Sequence, residues 1–448
     1  MSQLLERDDA AAERRAAFER GDVPVAVYGL GKMGLPLAAV YADVTGNVTG
    51  VDIDESVVER VRRGECPVER EPGLPELVAE LVDEGSLDAS SDPAQAAGDA
   101  SVHVVIVPTL VDGDDQPDLS AVRAVVTDIA RGIDRGDLVL VESTLPPGTT
   151  ETVLRPLIES ESGLPSETFG LAFCPERTSS GRALSDIRGT HPKIVGGVSA
   201  QSTRAAVDVY EALVDNDVVP VADATTAEMV KVFEGLYRDV NIALANELAR
   251  FADELDRDVR EAIAAANTQP YCDLHTPGPG VGGHCIPYYP YFVINWLTTA
   301  TPLLETSRYI NDAMPAFVAE KTLEGLAAGE TDPEDATALV LGLTYRAGVR
   351  ETRASPAYGV CERLSDAGVD VLATDPLVDA DGFAATDVDL VDAFDEDLDA
   401  VVLVTAHEEY DAVDWGSVDG PLTVVDGRDA LDLSGTDHLV YTVGRGYE

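Results

Sequence analysis

The 448-residue chain carries 82 acidic against 31 basic side chains, a formal net charge of −51 at pH 7, and 45% of its residues are hydrophobic. Such a charge repels phosphates and anionic lipids, which excludes nucleic acid as an obvious partner and disfavours a membrane surface. The length predicts about three domains, and the apolar fraction is sufficient for their cores.

Lysine is rare, with only Lys32, Lys193, Lys231 and Lys321 among the 31 basic residues. An acid excess with so few lysines is typical of a salt-accumulating cytoplasm, such as that of a haloarchaeon-like halophile, where screening tolerates the repulsion. An ordinary acidic protein is the alternative. The first residues form no signal peptide, and no apolar run approaches the ~20 residues that span a membrane, so we expect a cytoplasmic protein. The five cysteines are odd in number and widely spaced, which predicts neither disulfides nor a metal site.

The first part of the chain alternates strands with helices. Residues 1–22 are predicted to form a loose amphipathic helix, an N-terminal extension outside the fold. The runs predicted as buried strands are Val23–Tyr28, Val48–Val51, Val102–Val107, Leu138–Val141, Gly170–Phe173 and Lys193–Val195. With helical stretches between most of them, the pattern predicts a doubly wound parallel sheet.

A glycine-rich turn, Gly29-Leu30-Gly31-Lys32-Met33-Gly34, follows the first strand and opens a helix. The glycines permit a tight turn and close approach of a pyrophosphate to the helix N-terminus. Asp52, 18 residues after Gly34, would bind ribose hydroxyls and repel a 2′-phosphate, which favours NAD over NADP. Lys32 and Met33 should touch the cofactor. Thr109 and Thr144 follow later strands, whose carboxyl ends line the ligand crevice.

From Thr225 to about Ala266, apolar residues recur every three or four positions, which predicts one long amphipathic helix. A helix of this kind between two α/β domains often forms the spine of a dimer, although a purely intramolecular spine is the alternative. Lys231 and Arg238 share one face of it, with Asn241 a little round from them. Lys231 could stabilise a substrate oxyanion or act as acid or base; a solvated lysine is the alternative.

Two further loops carry candidate polar groups. In the loop after Phe173, Glu176 could activate a water and Arg177 could hold an anionic or carbonyl group, unless this is a plain surface loop. An acidic linker at 330–335 precedes a second α/β region without a glycine turn. Its predicted strands lie near Ala338–Leu341 and at Val369–Ala373, Ala400–Thr405 and Leu422–Val425. The segment Tyr345–Arg353 holds three arginines within eight residues, which suggests a diphosphate site; salt bridges to surface acids are the alternative.

Cys285 lies in the segment Pro277–Pro287, which contains four glycines and three prolines. Such a segment is neither a helix interior nor a central strand. It predicts a loop of defined shape whose glycines let a ligand approach the sulfur. A buried structural cysteine is the alternative. A thiolate is a competent nucleophile towards an aldehyde, so the thiol and the dinucleotide turn together predict an oxidation through a covalent thioester.

These motifs resemble the UDP-glucose/UDP-N-acetylmannosamine dehydrogenase family from Val23 to about Tyr410. The segments that carry the resemblance are GLGKMGLPLA, GVDID, the EPGL near residue 71, ESTLPPGTT, the PER at 175, AEMVKVFEGLYRDVNIALANELA, PGPGVGGHCIP, GLTYRAGVRETRASP and TAHEEY. The PER, RDVN and GPGVGGHC forms are more similar to the branch that oxidises UDP-N-acetylhexosamines than to UDP-glucose dehydrogenases.

The resemblance implies two Rossmann-like doubly wound domains joined by a long central helix and a helical dimerisation region. We therefore expect an NAD-binding domain at 23–220, a central helical domain at 221–330 with the cysteine loop, and a UDP-binding domain at 331–448. It also implies a homodimer and a two-NAD oxidation of the sugar C6 alcohol to a carboxylate. Cys285 matches the nucleophile, Lys231 the oxyanion-stabilising lysine, and Glu176 the glutamate linked to water activation. The positions that match substrate contacts are Arg177, Thr178, Arg238, Asn241, Gly282, Tyr345, Arg346 and Arg353.

The chain departs from the family pattern at three places. Gly235 stands where the family usually has Asn, four residues after the lysine, and Tyr289 where it usually has Asp, four residues after the cysteine. Gln269-Pro270-Tyr271 replaces a His-Pro-Arg run. The leading hypothesis is a UDP-N-acetylhexosamine 6-dehydrogenase. The alternatives are a UDP-glucose 6-dehydrogenase, a two-domain hydroxyacid dehydrogenase, and a non-catalytic protein that binds NAD and a nucleotide sugar.

Overall fold

The computed structural model describes residues 11–179 and 181–447, which form two compact units. The first unit runs to Glu234 and includes Tyr291–Thr298, and the second comprises Gly235–Pro290 and the chain from Thr299 onward. Residues 1–10 of the predicted N-terminal extension lie outside the described residues. The predicted three-part division at 220 and 330 stays a prediction.

The first unit is built on an eight-stranded sheet in the order β10-β9-β8-β7-β4-β1-β2-β3. All neighbouring strands are parallel except β8 and β9. Strands β1, β4, β7 and β8 are wholly buried, and apolar side chains cover both faces of the sheet, as expected for a doubly wound fold. The strands of this unit, including the small β5–β6 ribbon, are β1 Val25–Tyr28, β2 Val48–Val51, β3 Leu87–Ser90, β4 Val102–Val105, β5 Leu110–Val111, β6 Pro117–Asp118, β7 Leu138–Val141, β8 Gly170–Phe173, β9 Lys193–Gly197 and β10 Val218–Pro220.

Helices pack on both faces of this sheet. They are α1 Ala11–Glu19, α2 Gly34–Thr45, α3 Glu55–Arg62, α4 Leu74–Asp83, α5 Pro93–Asp99, α6 Ser120–Gly132, α7 Arg155–Ser162, α8 Ala183–Ser185 and α9 Ala200–Leu213. Helix α1 corrects the expectation that residues 1–22 lie outside the fold. Phe18 is fully buried in the core of the unit, and Arg14 forms a buried ion pair with Asp208 of α9 at 2.6 Å.

The long central helix, α10, spans Ala224–Ala249, so it begins in the first unit and ends in the second. The prediction of a single helix from Thr225 to about Ala266 is wrong. A short helix α11, Phe251–Leu255, follows, and the path then breaks at Asp256, which adopts a left-handed φ of 54°. Helix α12, Val259–Ala266, starts anew because the Asp258 side chain accepts a hydrogen bond from Glu261 N and caps it.

The second unit contains a seven-stranded sheet in the order β13-β12-β11-β14-β15-β16-β17, parallel except for its last pair. Its strands are β11 Thr337–Leu341, β12 Asp370–Thr374, β13 Thr386–Asp387, β14 Ala400–Leu403, β15 Thr423–Asp426, β16 Leu439–Thr442 and β17 Gly446–Tyr447. The remaining helices are α13 Tyr291–Ile294, which belongs to the first unit, α14 Pro302–Asp312, α15 Met314–Ala328, α16 Pro356–Asp366 and α17 Leu390–Ala393.

Both sheets place their strands as 3-2-1-4-5-6 in chain order, counting β7 and β8 as the fifth and sixth of the first sheet. This is the Rossmann order, in which ligands bind outside the carboxyl ends of the strands. The predicted fold class, two Rossmann-like domains with a central helical region, is confirmed. Within residues 11–179 and 181–447, no helix is both long and apolar enough to cross a membrane.

Candidate active site

The glycine turn of the first unit has the predicted form. Gly29 has a φ of 99°, and a Cβ there would lie 2.7 Å from Ile106 O. A Cβ on Gly34, the first residue of α2, would lie 1.8 Å from Gly29 O, so the helix can approach the turn only because residue 34 is glycine. Apart from its chain neighbours, Gly31 has no heavy atom of the described residues within 4 Å of the place where a Cβ would be. The turn is therefore tight at both ends and open in the middle, where a pyrophosphate would lie.

Asp52, directly after β2, is tied to this turn. Its Oδ2 accepts a hydrogen bond from Leu30 N at 2.7 Å, and its Oδ1 accepts one from Asp54 N at 3.0 Å. The backbone thus fixes the carboxylate at the edge of the turn. A carboxylate in this place suits the two hydroxyls of an adenosine ribose. The open turn, the exposed Lys32 and this fixed acid together fit NAD, and Gly29, Gly31, Gly34 and Asp52 would hold it.

The other predicted cofactor residues lie near the same edge of the sheet. Thr109 donates a hydrogen bond to Thr144 O at 2.6 Å, which joins the loops after β4 and β7. The Met33 sulfur lies 3.0 Å from Thr178 Oγ1. The structure therefore brings the glycine turn next to the loop that carries Glu176, Arg177 and Thr178, although these two segments are about 145 residues apart in the chain.

Glu176 and Lys231 contact each other within the first unit. Lys231 Nζ donates to Glu176 O and lies 3.4 Å from its Oε2. Both side chains are largely buried. Burial disfavours the charged form of Glu176, but the charge of Lys231 and the hydrogen bonds from Thr178 outweigh it, so the pKa of Glu176 lies below its ordinary value. Glu176 therefore stays ionised beside the ammonium group at neutral pH, where its carboxylate can accept a hydrogen bond from water.

A second lysine in this region had no role predicted from the sequence. Lys193 Nζ forms a buried ion pair with Glu142 Oε2 at 2.7 Å and donates to Pro175 O at 3.3 Å. Tyr210 donates to the other oxygen of Glu142 at 2.5 Å. Two of the four lysines in the chain thus bind consecutive carbonyls, those of Pro175 and Glu176. The rarity of lysine was the only sequence signal that could have singled out Lys193.

Arg177 is engaged within the first unit. Its guanidinium forms an ion pair with Glu234 at 2.5 Å and donates to Pro192 O at 2.9 Å. Its Nε is buried without a hydrogen-bond partner in the part of the chain that the structure describes. A substrate role for Arg177 stays a prediction, and it would be exerted from beside this ion pair.

In the second unit, the cysteine loop lies against the arginine-rich segment. Gly283 N donates to Arg353 O at 2.8 Å. A Cβ on Gly282 would lie 2.7 Å from Ala354 O and 2.8 Å from Tyr345 Cβ, so the loop can pack this closely only with glycine there. The Cys285 thiol is exposed. The structure thus joins the two motifs that the sequence placed about 60 residues apart.

Polar and aromatic groups surround this contact. The His284 ring nitrogen Nε2 lies 2.5 Å from Glu351 Oε2. Burial raises the pKa of the Tyr345 phenol, while Arg346 is exposed. The Arg353 guanidinium lies 5.0 Å from the centre of the Tyr288 ring, a cation–π distance. Among the described residues, the buried Arg353 Nε has no hydrogen-bond partner, which leaves a donor available to a ligand oxygen.

The sequence missed Arg428, which follows β15. Its Nε donates to Val404 O at 2.8 Å, and a Cβ on Gly278 of the cysteine loop would lie 2.8 Å from its Nη1. Burial and the nearby charge of Arg260 lower the pKa of Arg428 to about 10. A buried cation beside another cation favours an anionic ligand, but a single arginine in a polar loop gives no sequence signal.

The remaining predicted substrate residues lie on α10. Asn241 donates to Asp273 O at 2.7 Å and accepts from His275 N at 2.8 Å, so it fixes the segment that leads into the cysteine loop. Arg238 is exposed, and its charge helps to lower the pKa of His275, for which burial is the larger cause. The geometry gives Asn241 a structural task that the sequence did not predict.

Comparison with known proteins gives matches along most of the chain. Residues 23–214, 225–313 and 339–433 match the NAD binding, central and UDP binding domains of the UDP-glucose/GDP-mannose dehydrogenase family. The chain is 36% identical to the UDP-N-acetyl-D-mannosamine dehydrogenase of Pyrococcus horikoshii over 426 residues, which cover 94% of this chain and 99% of that protein.

Solved structures give the same result. The structure of the UDP-D-ManNAc dehydrogenase from Pyrococcus horikoshii has a TM-score of 0.87 at 35% identity and covers 94% of this chain and 99% of its own. The structure of a UDP-glucose dehydrogenase from Pyrobaculum islandicum has a TM-score of 0.85 at 26% identity and covers 95% and 98%.

Proposed function

The chain belongs to the UDP-glucose/GDP-mannose dehydrogenase family, and we propose that it oxidises the C6 alcohol of a UDP-N-acetylhexosamine, UDP-ManNAc or UDP-GlcNAc, to the uronic acid. The family predicted from the motifs is confirmed, and the chain is an NAD-dependent nucleotide-sugar dehydrogenase. The observation that carries the proposal is the exposed Cys285 thiol in a glycine loop packed on the Tyr345–Arg353 segment.

The choice of sugar rests on sequence similarity. Identity is 36% to the UDP-N-acetyl-D-mannosamine dehydrogenase and 26% to the solved UDP-glucose dehydrogenase. The PER, RDVN and GPGVGGHC forms favour the same branch. A UDP-glucose 6-dehydrogenase remains the second candidate, because the two folds are nearly equally similar to this one.

NAD, held by Gly29, Gly31, Gly34 and Asp52, would supply the hydride acceptor for two successive oxidations of the same carbon. Cys285 supplies the chemistry between them. Its thiolate adds to the C6 aldehyde, and the carbonyl oxygen takes up a proton, which gives a thiohemiacetal. Loss of a hydride and a proton turns this into a thioester. Water then adds to the thioester carbonyl, and the C–S bond breaks to release the carboxylic acid and the thiol.

Lys231 and Glu176 are proposed to act on the oxygen atoms of this sequence. The buried Lys231 ammonium would stabilise the oxyanion that forms when the carbonyl is attacked. The Glu176 carboxylate, held ionised by Lys231 and Thr178, would take the proton of the attacking water. The 3.4 Å separation between Lys231 Nζ and Glu176 Oε2 allows the two groups to act in consecutive steps without a change of partner.

The UDP group is proposed to bind at the Tyr345–Arg353 segment. Tyr345, Arg346 and Arg353 follow β11, at the carboxyl end of a Rossmann-like sheet, which is where such sheets bind ligands. The buried Nε of Arg353 has no hydrogen-bond partner among the described residues, and together with the buried charge of Arg428 it would add cationic donors for a diphosphate. Gly282 would serve this site by letting the cysteine loop pack closely against Ala354 and Tyr345.

A panel of UDP-sugars tests the proposed function. With NAD in high salt, we expect the highest kcat/KM for a UDP-N-acetylhexosamine, with two NADH formed per sugar and a 6-carboxylate detected by mass spectrometry. One NADH per sugar and a stable aldehyde would contradict the proposal. A higher kcat/KM for UDP-glucose would assign the second candidate instead.

We further propose a homodimer formed through the central helix. Five large apolar side chains remain exposed by 43–59% along α10 and α11, namely Phe233, Tyr237, Leu244, Phe251 and Leu255. Their spacing of seven or four residues places them in one stripe, as in a helix–helix interface. A stripe of this kind is costly to leave in water.

The Leu244→Asp variant tests the homodimer. A charge in the middle of an apolar interface is expected to give a monomer by light scattering after size-exclusion chromatography in high salt. The matched control is Val391→Asp, which changes an 84% exposed apolar side chain on α17. A monomeric parent protein, or a Leu244→Asp variant with unchanged mass, would contradict this interface.

We also propose that the enzyme works in a salt-rich cytoplasm, as in a halophile. The net charge of −51 supports this, because salt screens the repulsion between the acidic side chains.

A further inference from the structure

Two unusual residues stand each one turn beyond a proposed catalytic residue. Gly235 comes four residues after Lys231 on α10, and Tyr289 comes four residues after Cys285. In the structure these two positions are in contact. A Cβ on Gly235 would lie 2.1 Å from Tyr289 Cδ2 and 3.0 Å from its Cβ and Cγ. The tyrosine ring therefore occupies the space that any side chain at position 235 would need.

The requirement for glycine at 235 is steric. Its backbone is helical, and its φ is not among the positive values of the chain, so any residue could adopt this conformation. Glycine in a helix interior costs about 1 kcal/mol relative to alanine. Packing of the Tyr289 ring on the helix surface at Gly235 offsets this cost.

The contact fixes the backbone that carries the thiol. Tyr289 is only 7% exposed, and its backbone N donates to Cys285 O at 2.9 Å. The turn that starts at Cys285 is thus closed by the residue whose ring lies on α10. On the other side, the neighbouring Tyr288 ring faces the Arg353 guanidinium. Two consecutive tyrosines hold the turn, one on the helix and one on the arginine segment.

We propose that Gly235 and Tyr289 form one coupled unit and that Tyr289 is a positioning residue for Cys285, acting through its ring. This inference rests on the proposed function, in which Cys285 is the nucleophile. It explains the two departures from the family pattern together, because an Asn at 235 would collide with a Tyr at 289.

The test measures the Cys285 thiol directly. Alkylation by iodoacetamide is followed against pH and quantified at the Cys285 peptide by mass spectrometry, so it does not depend on turnover. Cys272, a partly exposed thiol of the same unit, is the internal control. The variants are Gly235→Asn, Gly235→Ala, Tyr289→Phe, Tyr289→Asp, and the double variant Gly235→Asn with Tyr289→Asp.

We expect Gly235→Asn to displace the ring, to change the alkylation profile of Cys285 but not of Cys272, and to lower kcat by about 10²-fold with a smaller effect on KM. The double variant should recover most of both effects, since the smaller Asp leaves room for Asn. Tyr289→Phe keeps the ring and should retain the parent alkylation profile. Gly235→Ala probes the same collision in smaller form, in case Gly235→Asn does not fold.

The coupling is refuted if Gly235→Asn and Gly235→Ala leave the Cys285 profile unchanged, or if the effects of Gly235→Asn and Tyr289→Asp simply add. An altered alkylation profile of Cys285 in Tyr289→Phe would show that the Tyr289 hydroxyl, and not the ring, positions Cys285. That result would contradict the proposal. Alkylation reports on the thiol alone. These outcomes could therefore still be interpreted if the thioester mechanism were wrong.

Discussion

The Cys285→Ser variant is expected to form no 6-carboxylate, with a fall in the rate of acid formation on the order of 10³-fold or more. A serine hydroxyl is a far weaker nucleophile than a thiolate, so the aldehyde would no longer be captured as a covalent adduct. NADH and the carboxylate are measured together, by absorbance and by mass spectrometry. At most one NADH per sugar is expected.

The matched control for this variant is Cys272→Ser, which changes another solvent-accessible thiol in the same unit. It should behave like the parent protein. A normal yield of acid from Cys285→Ser would refute the thioester step. A fully active variant would also favour the alternative of a two-domain hydroxyacid dehydrogenase, which needs no thiol.

Removal of salt is expected to have an effect of similar size. The chain carries 82 acidic and 31 basic side chains. The screening length is about 3 Å at 1 M salt and about 10 Å at 0.1 M, so the acidic side chains repel each other over a longer distance at low salt. We expect activity and folded structure in molar KCl and the loss of both at about 0.1 M. Activity and circular dichroism are followed along one series of KCl concentrations.

A parallel series at about 0.1 M KCl with added sucrose separates charge screening from general stabilisation of the compact state. Sucrose should restore little if screening is the cause. Full folding and activity at about 0.1 M salt without additive would show that the acidic composition does not make the enzyme salt-dependent.

The sequence predicted the first unit well where local patterns decide the structure. Strands β2, β7 and β8 match their predicted bounds, since each is a short run of mainly apolar residues, and the acidic Asp52 and Glu142 directly follow the first two. The glycine turn followed from its spacing. The short edge strands β3, β10 and β13 carry exposed or polar residues, so their hydrophobic signal was too weak to detect.

The errors in the helices have physical causes. The apolar period runs on past Leu255, but the left-handed Asp256 and the capping Asp258 end one helix and start the next. Helix α1 looked detached because most of its residues are charged or alanine. A single Phe18 and the buried Arg14–Asp208 pair are enough to bind it to the first unit, and neither contact is visible in a local pattern.

The motifs of the site could be predicted from the sequence, but the contacts between distant residues could not. The cysteine, lysine and glutamate motifs each stand out by composition. The Lys193–Glu142 pair and the Gly235–Tyr289 contact join residues about 50 positions apart, and no local rule connects them. The structure therefore contributed the contacts that hold Pro175, the residue before Glu176, and the turn that begins at Cys285.

The most direct test of the account is the covalent state of Cys285 during turnover. In the Glu176→Gln variant, with the preferred UDP-N-acetylhexosamine and NAD, hydrolysis should be slow enough for the thioester to accumulate. Intact-mass and peptide mass spectrometry should then find the oxidised sugar nucleotide attached to Cys285. Continued formation of acid with no adduct on this residue would contradict the account.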